Sequence, residues 1–397
     1  MDRTPHNIAV IYHSSGRIDD AHRLFERMED RRRKLARELQ YDRLGFRIFS
    51  RASFTNIGPL GLLDKYIKAD LLDIIPRRAN ILLFAPEASH NPTYVQYWQK
   101  YVSVVTHPRA VSVLAPLVPW LEERSSWQWC GGNITAIARR AQLQWEAERR
   151  SPLLGLNSEH RERGWRLLHE LGVPEGAWFV GLHVREGRDR NNLRNADITT
   201  YRSAIEAIAN RGGWVIRMGN DSMRPLPNYA KTIDYAHSAR RQDWMDVFLW
   251  AEGRFFIATA SGPQLIPTTF GKPVAITNYG PVSTMICGKD DILLPKHYRL
   301  EEKGRYLTLA ERLNSSHALQ ESPDVLAKLG IRVMDNSPEE LRDLAIEMMD
   351  RLEDRQAEIE HERTLQARFD ELAAAHQFYP VKVARAFLSR HPDLLIA

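Results

Sequence analysis

Three short apolar runs end in groups that can hold a diphosphate. Residues 178–182 run into His183 and Arg185. Residues 213–216 run into Arg217, Gly219 and Asp221, and residues 254–260 into Ser261, Gly262, Pro263 and Gln264. As a glycosidic bond to a nucleotide breaks, negative charge collects on the leaving diphosphate. A protein offsets it with a metal ion, or with Arg, Lys, backbone N–H groups and helix N-termini. No Asp-x-Asp metal motif stands at a strand-like end, so the second route is expected, with no cofactor and no metal. Arginine suits that task because its planar fork donates two parallel hydrogen bonds to phosphate oxygens. The glycine of the Ser261–Gly262 turn lets backbone approach a phosphate or ribose closely.

Each of these residues also has a plainer reading. His183 and Arg185 alternate along one strand and share a face, yet His183 could equally be a hydrogen-bonded core histidine. Arg217 could meet phosphate, with Asp221 holding it or a hydroxyl, or it could close a salt bridge at a strand end. Asp234 and Tyr235 follow a short strand at 232–233 and either meet the base or ribose or anchor their loop. The polar loop of Asp189, Arg190, Arg194, Asn195 and Asp197 lies directly beyond Arg185 and is placed to touch sugar hydroxyls. For a general base that takes the acceptor's proton, the order of preference is Asp189, Glu87 and His13.

The elements that must position these groups alternate in type. Residues 7–12 read as a first strand, and 21–39 have the spacing of an amphipathic helix. Further strands are expected at 46–49, 81–84 and 102–105. A mostly helical stretch at 108–175 follows, and a second alternating block begins at Trp178. Residues 244–250 are apolar at helical spacing and read as core. Ser337, Pro338 and Glu340 form a capping box opening a long helix to about His361. A final helix is expected at 381–389. The fold class is α/β: two Rossmann-like domains facing a central cleft, closed by C-terminal helices. The domains are expected at 1–165, for the acceptor, and 175–375, for the donor, with helix 378–397 packing back on the first.

A chain of 397 residues with 43% hydrophobic content and ten Trp can build two cores. A net charge of +5 suits an anionic donor or a membrane-surface acceptor, without any nucleic-acid motif. Two cysteines, Cys130 and Cys287, exclude a disulfide framework and a cysteine-rich zinc site. There is no apolar signal core and no membrane-length apolar run, so a cytoplasmic protein is expected.

Several segments carry a resemblance. They include Leu182-His183-Val184-Arg185-Glu186-Gly187, Arg194-Asn195-Ala196-Asp197-Ile198, and the run from Gly212 to Gly219. Ile233 to Ser238, Asp243 to Leu249, and Ser261-Gly262 complete the set. Together they are similar to a family of bacterial glycosyltransferases found with surface-polysaccharide or natural-product sugar pathways. His183-x-Arg185 also resembles, more distantly, the first motif of GT-B fucosyltransferases, which are inverting and metal-independent. That likeness implies that Arg185 contacts the donor's β-phosphate. Where the family shows a Gly-His-Leu-like loop after the first strand, this chain has Gly16-Arg17-Ile18-Asp19-Asp20. The implied partners are a nucleotide-sugar donor and a glycan, lipid-linked or small-molecule acceptor. Two rival readings are a nucleotide-sugar 2-epimerase, which needs no acceptor, and a catalytically silent sugar-nucleotide-binding protein.

Overall fold

A computed structural model describes residues 8–9, 11–12, 17–49, 57–84, 90–118, 133–187, 192–280, 288–314, 322–355, 360–375 and 381–396. The chain divides into two compact units, Met1–Leu154 and Gly155–Ala397. Among the described residues no helix is long and apolar enough to cross a membrane.

The first unit contains α1 (Ile18–Glu38), β1 (Phe46–Phe49), α2 (Ile57–Leu71) and β2 (Ala79–Leu83). It continues with α3 (Pro92–Trp98), β3 (Ser103–Val105), α4 (Pro108–Leu114) and α5 (Asn133–Ala147). The three strands form a parallel sheet in chain order, as alternating strands and helices require. Buried Arg47 ties β1 to its neighbours. Its Nη1 donates to Asp70 at 3.0 Å and Asn80 at 2.9 Å, and its Nη2 donates to the Pro76 carbonyl at 2.8 Å.

The expected first strand at 7–12 is not formed: Ile8, Ala9, Ile11 and Tyr12 are helical. The physical reason is one-sided burial. Ala9 packs with Ala21 and Phe25, and Tyr12 lies against them, while Ile8 and Ile11 face outward. A short apolar run does not by itself distinguish a strand from a piece of helix.

The second unit opens with α6 (Ser158–Glu170), β4 (Phe179–His183), α7 (Arg202–Asn210), β5 (Trp214–Arg217) and β6 (Thr232–Asp234). Next come α8 (Asp243–Glu252), β7 (Phe256–Thr259), β8 (Val274–Tyr279) and β9 (Ile292–Pro295). A small antiparallel sheet follows: β10 (His297–Leu300), β11 (Arg305–Tyr306) and, after α9 (Leu309–Asn314) and α10 (Pro323–Lys328), β12 (Ile331–Met334). The last elements are α11 (Pro338–Leu352), α12 (Glu360–Ala375), β13 (Lys382–Val383) and α13 (Arg385–Arg390).

Seven parallel strands build the main sheet in the order β13-β9-β8-β7-β4-β5-β6. Chain order runs outward one way from β4 through β5 to β6, and the other way from β7 through β8 to β9. The winding therefore reverses between β4 and β7, the arrangement of a doubly wound nucleotide-binding sheet. Every residue of β4, β7 and β8 is buried, which requires helices on both faces. Trp165, Phe179 and Phe248 meet at 5.7–6.0 Å between ring centroids and lock α6 and α8 to β4.

The capping box is present: Ser337 Oγ accepts from Glu340 N at 3.2 Å, and a Glu340 oxygen accepts from Ser337 N at 2.8 Å. The helix it opens stops at Leu352, with a separate helix after it. The C-terminal segment, expected to return to the first domain, is built into the second unit. Its residues 382–383 form β13, paired with β9, and the helix that follows starts at Arg385 instead of 381. Glu347 explains this placement: it is buried on α11, and Arg385 donates to it from its backbone N at 2.8 Å. Likewise α6, split by the expected boundary at 165, lies wholly in the second unit.

Gly181 stands opposite Phe256 where β4 pairs with β7, and a Cβ there would overlap the Phe256 ring. Gly181→Ala should cost about 1–3 kcal/mol through overpacking, measured by urea unfolding. An unchanged midpoint would mean that the ring moves aside freely.

Candidate functional site

The carboxyl ends of β4 and β7 face each other across the reversal of strand order, where open α/β sheets hold ligands. His183 ends β4, and its Nδ1 lies 3.1 Å from Ser261 Oγ, which stands just past β7. Two bonds brace the same junction. Arg185 N donates to Thr259 Oγ1 at 2.9 Å, and Arg194 Nε donates to the Ala260 carbonyl at 2.9 Å. His183 is buried, and burial, reinforced by the Arg217 and Arg185 cations, lowers its pKa to about 4. It is neutral at ordinary pH and serves as a hydrogen-bonded brace.

Arg185 is half-buried, and its Nη1 donates to Asn192 Oδ1 at 2.9 Å. A Cβ on Gly187 would come within 3.2 Å of Arg185 Nη2 and 3.1 Å of Asn195 Oδ1. Glycine at 187 therefore lets the loop fold tightly over the guanidinium, and Gly187 N donates to Asn195 Oδ1 at 2.9 Å.

Gly187 and Asn192 also line a groove of about 1190 Å³. Glu186, Asn195 and Asp197 belong to the same wall, Ser222 and Arg224 follow β5, and Lys296, Asp335 and the start of β12 complete it. The rim is ionic. Arg224 donates to Asp197 at 3.0 Å, its backbone N donates to Glu186 at 2.8 Å, and Lys296 Nζ donates to the Asn195 carbonyl at 2.8 Å.

Arg217 lies under this rim and is fully buried. It donates to Asp234 Oδ1 at 3.0 Å and to the Arg224 carbonyl at 2.9 Å, with Glu186 at 3.7 Å. Of its two readings, this geometry fits the strand-end salt bridge, because the guanidinium has no exposed surface for a phosphate. Asp234 is equally committed: its Oδ2 accepts from Leu226 N at 2.8 Å and lies 2.9 Å from His237 Nδ1. Tyr235 is a core residue whose hydroxyl accepts from Gln242 N at 2.8 Å, and burial pushes that hydroxyl above its ordinary pKa. These groups anchor their loop.

Gly219 takes φ +146 and lies close to the Met223 sulfur, while Asp221 is exposed on the turn beyond it. Ser261 and Gly262 lead into two 3-10 turns, Gly262–Leu265 and Pro267–Phe270. Pro263 and Pro267, with Gly271 in the left-handed region at φ +75, break the segment into turns. Gln264 is buried, and its Oε1 has no hydrogen-bond partner among the described residues.

The structure thus gathers His183, Arg185, Ser261, Gly262 and Gln264 at the strand reversal. Arg217, Asp234 and Tyr235 stand behind it as supports. Asp189, Glu87 and His13, the candidate bases, lie outside the described residues. Sequence reasoning missed Glu186, Asn192, Arg224, Lys296 and Asp335. Lys296 was the most accessible of these, since it directly follows the apolar strand β9.

No protein-family model matches the chain, and no curated protein matches it, so the family resemblance stands on its motifs alone. Among solved structures, E. coli ADP-heptose lipopolysaccharide heptosyltransferase II aligns at 11% identity and TM-score 0.47, covering 77% of this chain and 98% of that one. A glycosyl transferase family 9 protein from Veillonella parvula aligns at 12% identity and TM-score 0.39, covering 63% and 86%. The dodecameric iron-containing heptosyltransferase TibC, in complex with ADP-D-beta-D-heptose, aligns at 12% and 0.40, covering 77% and 76%. Likeness at these scores is too loose to assign an activity.

Two outcomes test the geometry. Asp234→Ala leaves the Arg217 charge buried without its main partner and should cost about 3–5 kcal/mol in denaturant unfolding; a loss within error would mean that Glu186 suffices. His183 takes up its proton at about pH 4 when folded and near 6.5 when unfolded. Its stabilising contribution is therefore complete above pH 6.5 and is lost as pH falls toward 4, by up to about 3 kcal/mol. Urea unfolding across that window should show a shallower loss for His183→Gln than for the native chain.

Proposed function

We propose that this chain is a glycosyltransferase that moves a sugar from a nucleotide-diphosphate donor to an acceptor. In this reading the second unit binds the donor and the first unit the acceptor. The observation that carries it is the reversal between β4 and β7, where Arg185 and the Ser261–Gly262 turn are found, and the neighbours of Arg185 in the chain, Glu186 and Gly187, line a large groove of mixed polar and apolar character. Doubly wound sheets bind nucleotides at this position. The groove's Asn, Asp, Glu, Lys and Arg side chains, set among Leu193, Pro323, Ala327 and Ile331, offer the mixed donors and acceptors that sugar hydroxyls require.

Arg185 has the direct role. Its guanidinium and the backbone N–H groups after Ser261 offset charge on the departing diphosphate, with no metal at that point. Asn192 holds one edge of the guanidinium, which fixes the direction of the other donors. Among the described residues Gln264 Oε1 is a buried acceptor without a donor. A base amide or a ribose hydroxyl from the nucleotide would satisfy it, and an unmet acceptor in a buried site is costly. His183 orients Ser261 and contributes no proton, since it is neutral and enclosed. Asp189, four residues after Arg185 in the sequence, remains the first choice for general base.

The reading favours transfer with inversion and without an added divalent ion. The hexosyl or deoxyhexosyl character of the sugar follows from the resemblance alone. Glycan, lipid-linked and small-molecule acceptors all fit, as does docking of the basic protein at a membrane surface.

A thermal-shift screen against GDP, UDP, dTDP, CDP and CMP identifies the donor nucleotide, because ligand binding raises the melting temperature by mass action. With the matching donor, Arg185→Ala should lower transfer by about 100-fold or more while leaving the fold intact. Near-native transfer by a folded Arg185→Ala protein would remove the residue from the mechanism. Conversion of the nucleotide sugar without any acceptor would point to an epimerase instead.

A further inference from the structure

We propose that His297, Glu340 and His391 form a binding site for a divalent transition metal, for which Zn²⁺ is the best fit. The three residues come from segments far apart in the chain: the start of β10, the first turn of α11 and the C-terminal end of α13. Their ligand atoms all lie within 4.8 Å of one another. His297 Nε2 is 2.9 Å from Glu340 Oε1, and His391 Nε2 is 3.4 Å from the same oxygen. A tetrahedral ion with bonds of about 2.0–2.1 Å sets its ligand atoms roughly 3.4 Å apart. The two edges to Glu340 lie within about 0.5 Å of that value, and the edge between the two imidazoles, within 4.8 Å, would close toward it around an ion.

The surroundings suit a metal. His297 and Glu340 are buried, while His391 is about one-fifth exposed and leaves a path for entry. Tyr306 and Phe387 stack at 4.9 and 5.2 Å from the His297 ring and keep water from that side. Glu340 directs one oxygen at both imidazoles, while the other accepts from Ser337 N at 2.8 Å. The capping box thus orients the carboxylate, as groups behind a metal ligand commonly do.

Two imidazole nitrogens and one carboxylate oxygen are borderline ligands. They favour Zn²⁺, with Co²⁺, Ni²⁺ and Fe²⁺ as alternatives, over the all-oxygen preference of Mg²⁺ and Ca²⁺. Three protein ligands leave a fourth position for water. The site is separate from the groove, whose lining includes Lys296 but none of His297, Glu340 and His391. Its effect would be to tie α13 to β10 and α11.

The test uses the whole chain and does not depend on the proposed transfer reaction. Chelator-treated, desalted protein is given Zn²⁺ alone, and bound metal is measured by elemental analysis after a second desalting. One Zn²⁺ per chain and a raised melting temperature are expected, and Co²⁺ in its place should give visible ligand-field bands. His391→Ala and His391→Asn should weaken binding at least about 10–100-fold and abolish those bands. Either variant suffices if the other does not fold, because His391 is the most exposed of the three. A native chain that retains no Zn²⁺, or variants that retain as much as it does, would overturn the proposal.

Discussion

A charge with no route to water governs the second unit. Arg217 ends β5 inside a sheet that is covered on both faces, and a buried guanidinium must be matched or the fold fails. Its partners are spread over three loops. Asp234 lies opposite it in register on β6, Glu186 follows β4, and the Arg224 carbonyl follows β5. Satisfying one cation thereby fixes the positions of three strand-end loops. The Glu186 and Arg224 loops form the groove wall, so the shape of the surface is set from beneath it.

This arrangement separates support from contact. Arg217 and Asp234 are spent on each other and Tyr235 on the Gln242 backbone, while Arg185 lies half-buried next to the groove-lining residues Glu186 and Gly187. His183 and Ser261 bridge the point where the winding reverses, so β4 and β7 cannot drift apart. A ligand entering there would meet a scaffold already ordered. Preorganised donors of this kind stabilise developing charge without reorganising during reaction.

Much of this was legible in the sequence because parallel strands leave a strong imprint. Both faces of such a sheet are buried, so the strands read as unbroken apolar runs, and residues 179–183, 214–217 and 256–259 fell where expected. The capping box was equally plain, since its chemistry lies within four consecutive residues. The roles of Arg217 and Asp234 were not decidable. Both the ligand and the salt-bridge readings fit a strand-end arginine, and only strand register shows that the two residues are neighbours. Lys296 and Asp335 reach the groove through tertiary packing between distant segments, which no local pattern records. At the start of the chain, a six-residue apolar run had too little length to betray its period. Its helical form follows from packing against α1. The short strand at 382–383 was hidden for the opposite reason, because two residues cannot display alternation at all.

That short strand bears on how the protein is made. β9 presents a fully apolar face and a row of backbone groups, and the segment that pairs with its outer edge is β13. On the ribosome, an antiparallel sheet and several helices emerge between the two. Throughout that interval β9 has a bare margin of the kind through which nascent chains stick to one another. The exposure of that margin to misassembly therefore lasts until residues 382–383 have emerged and paired with it.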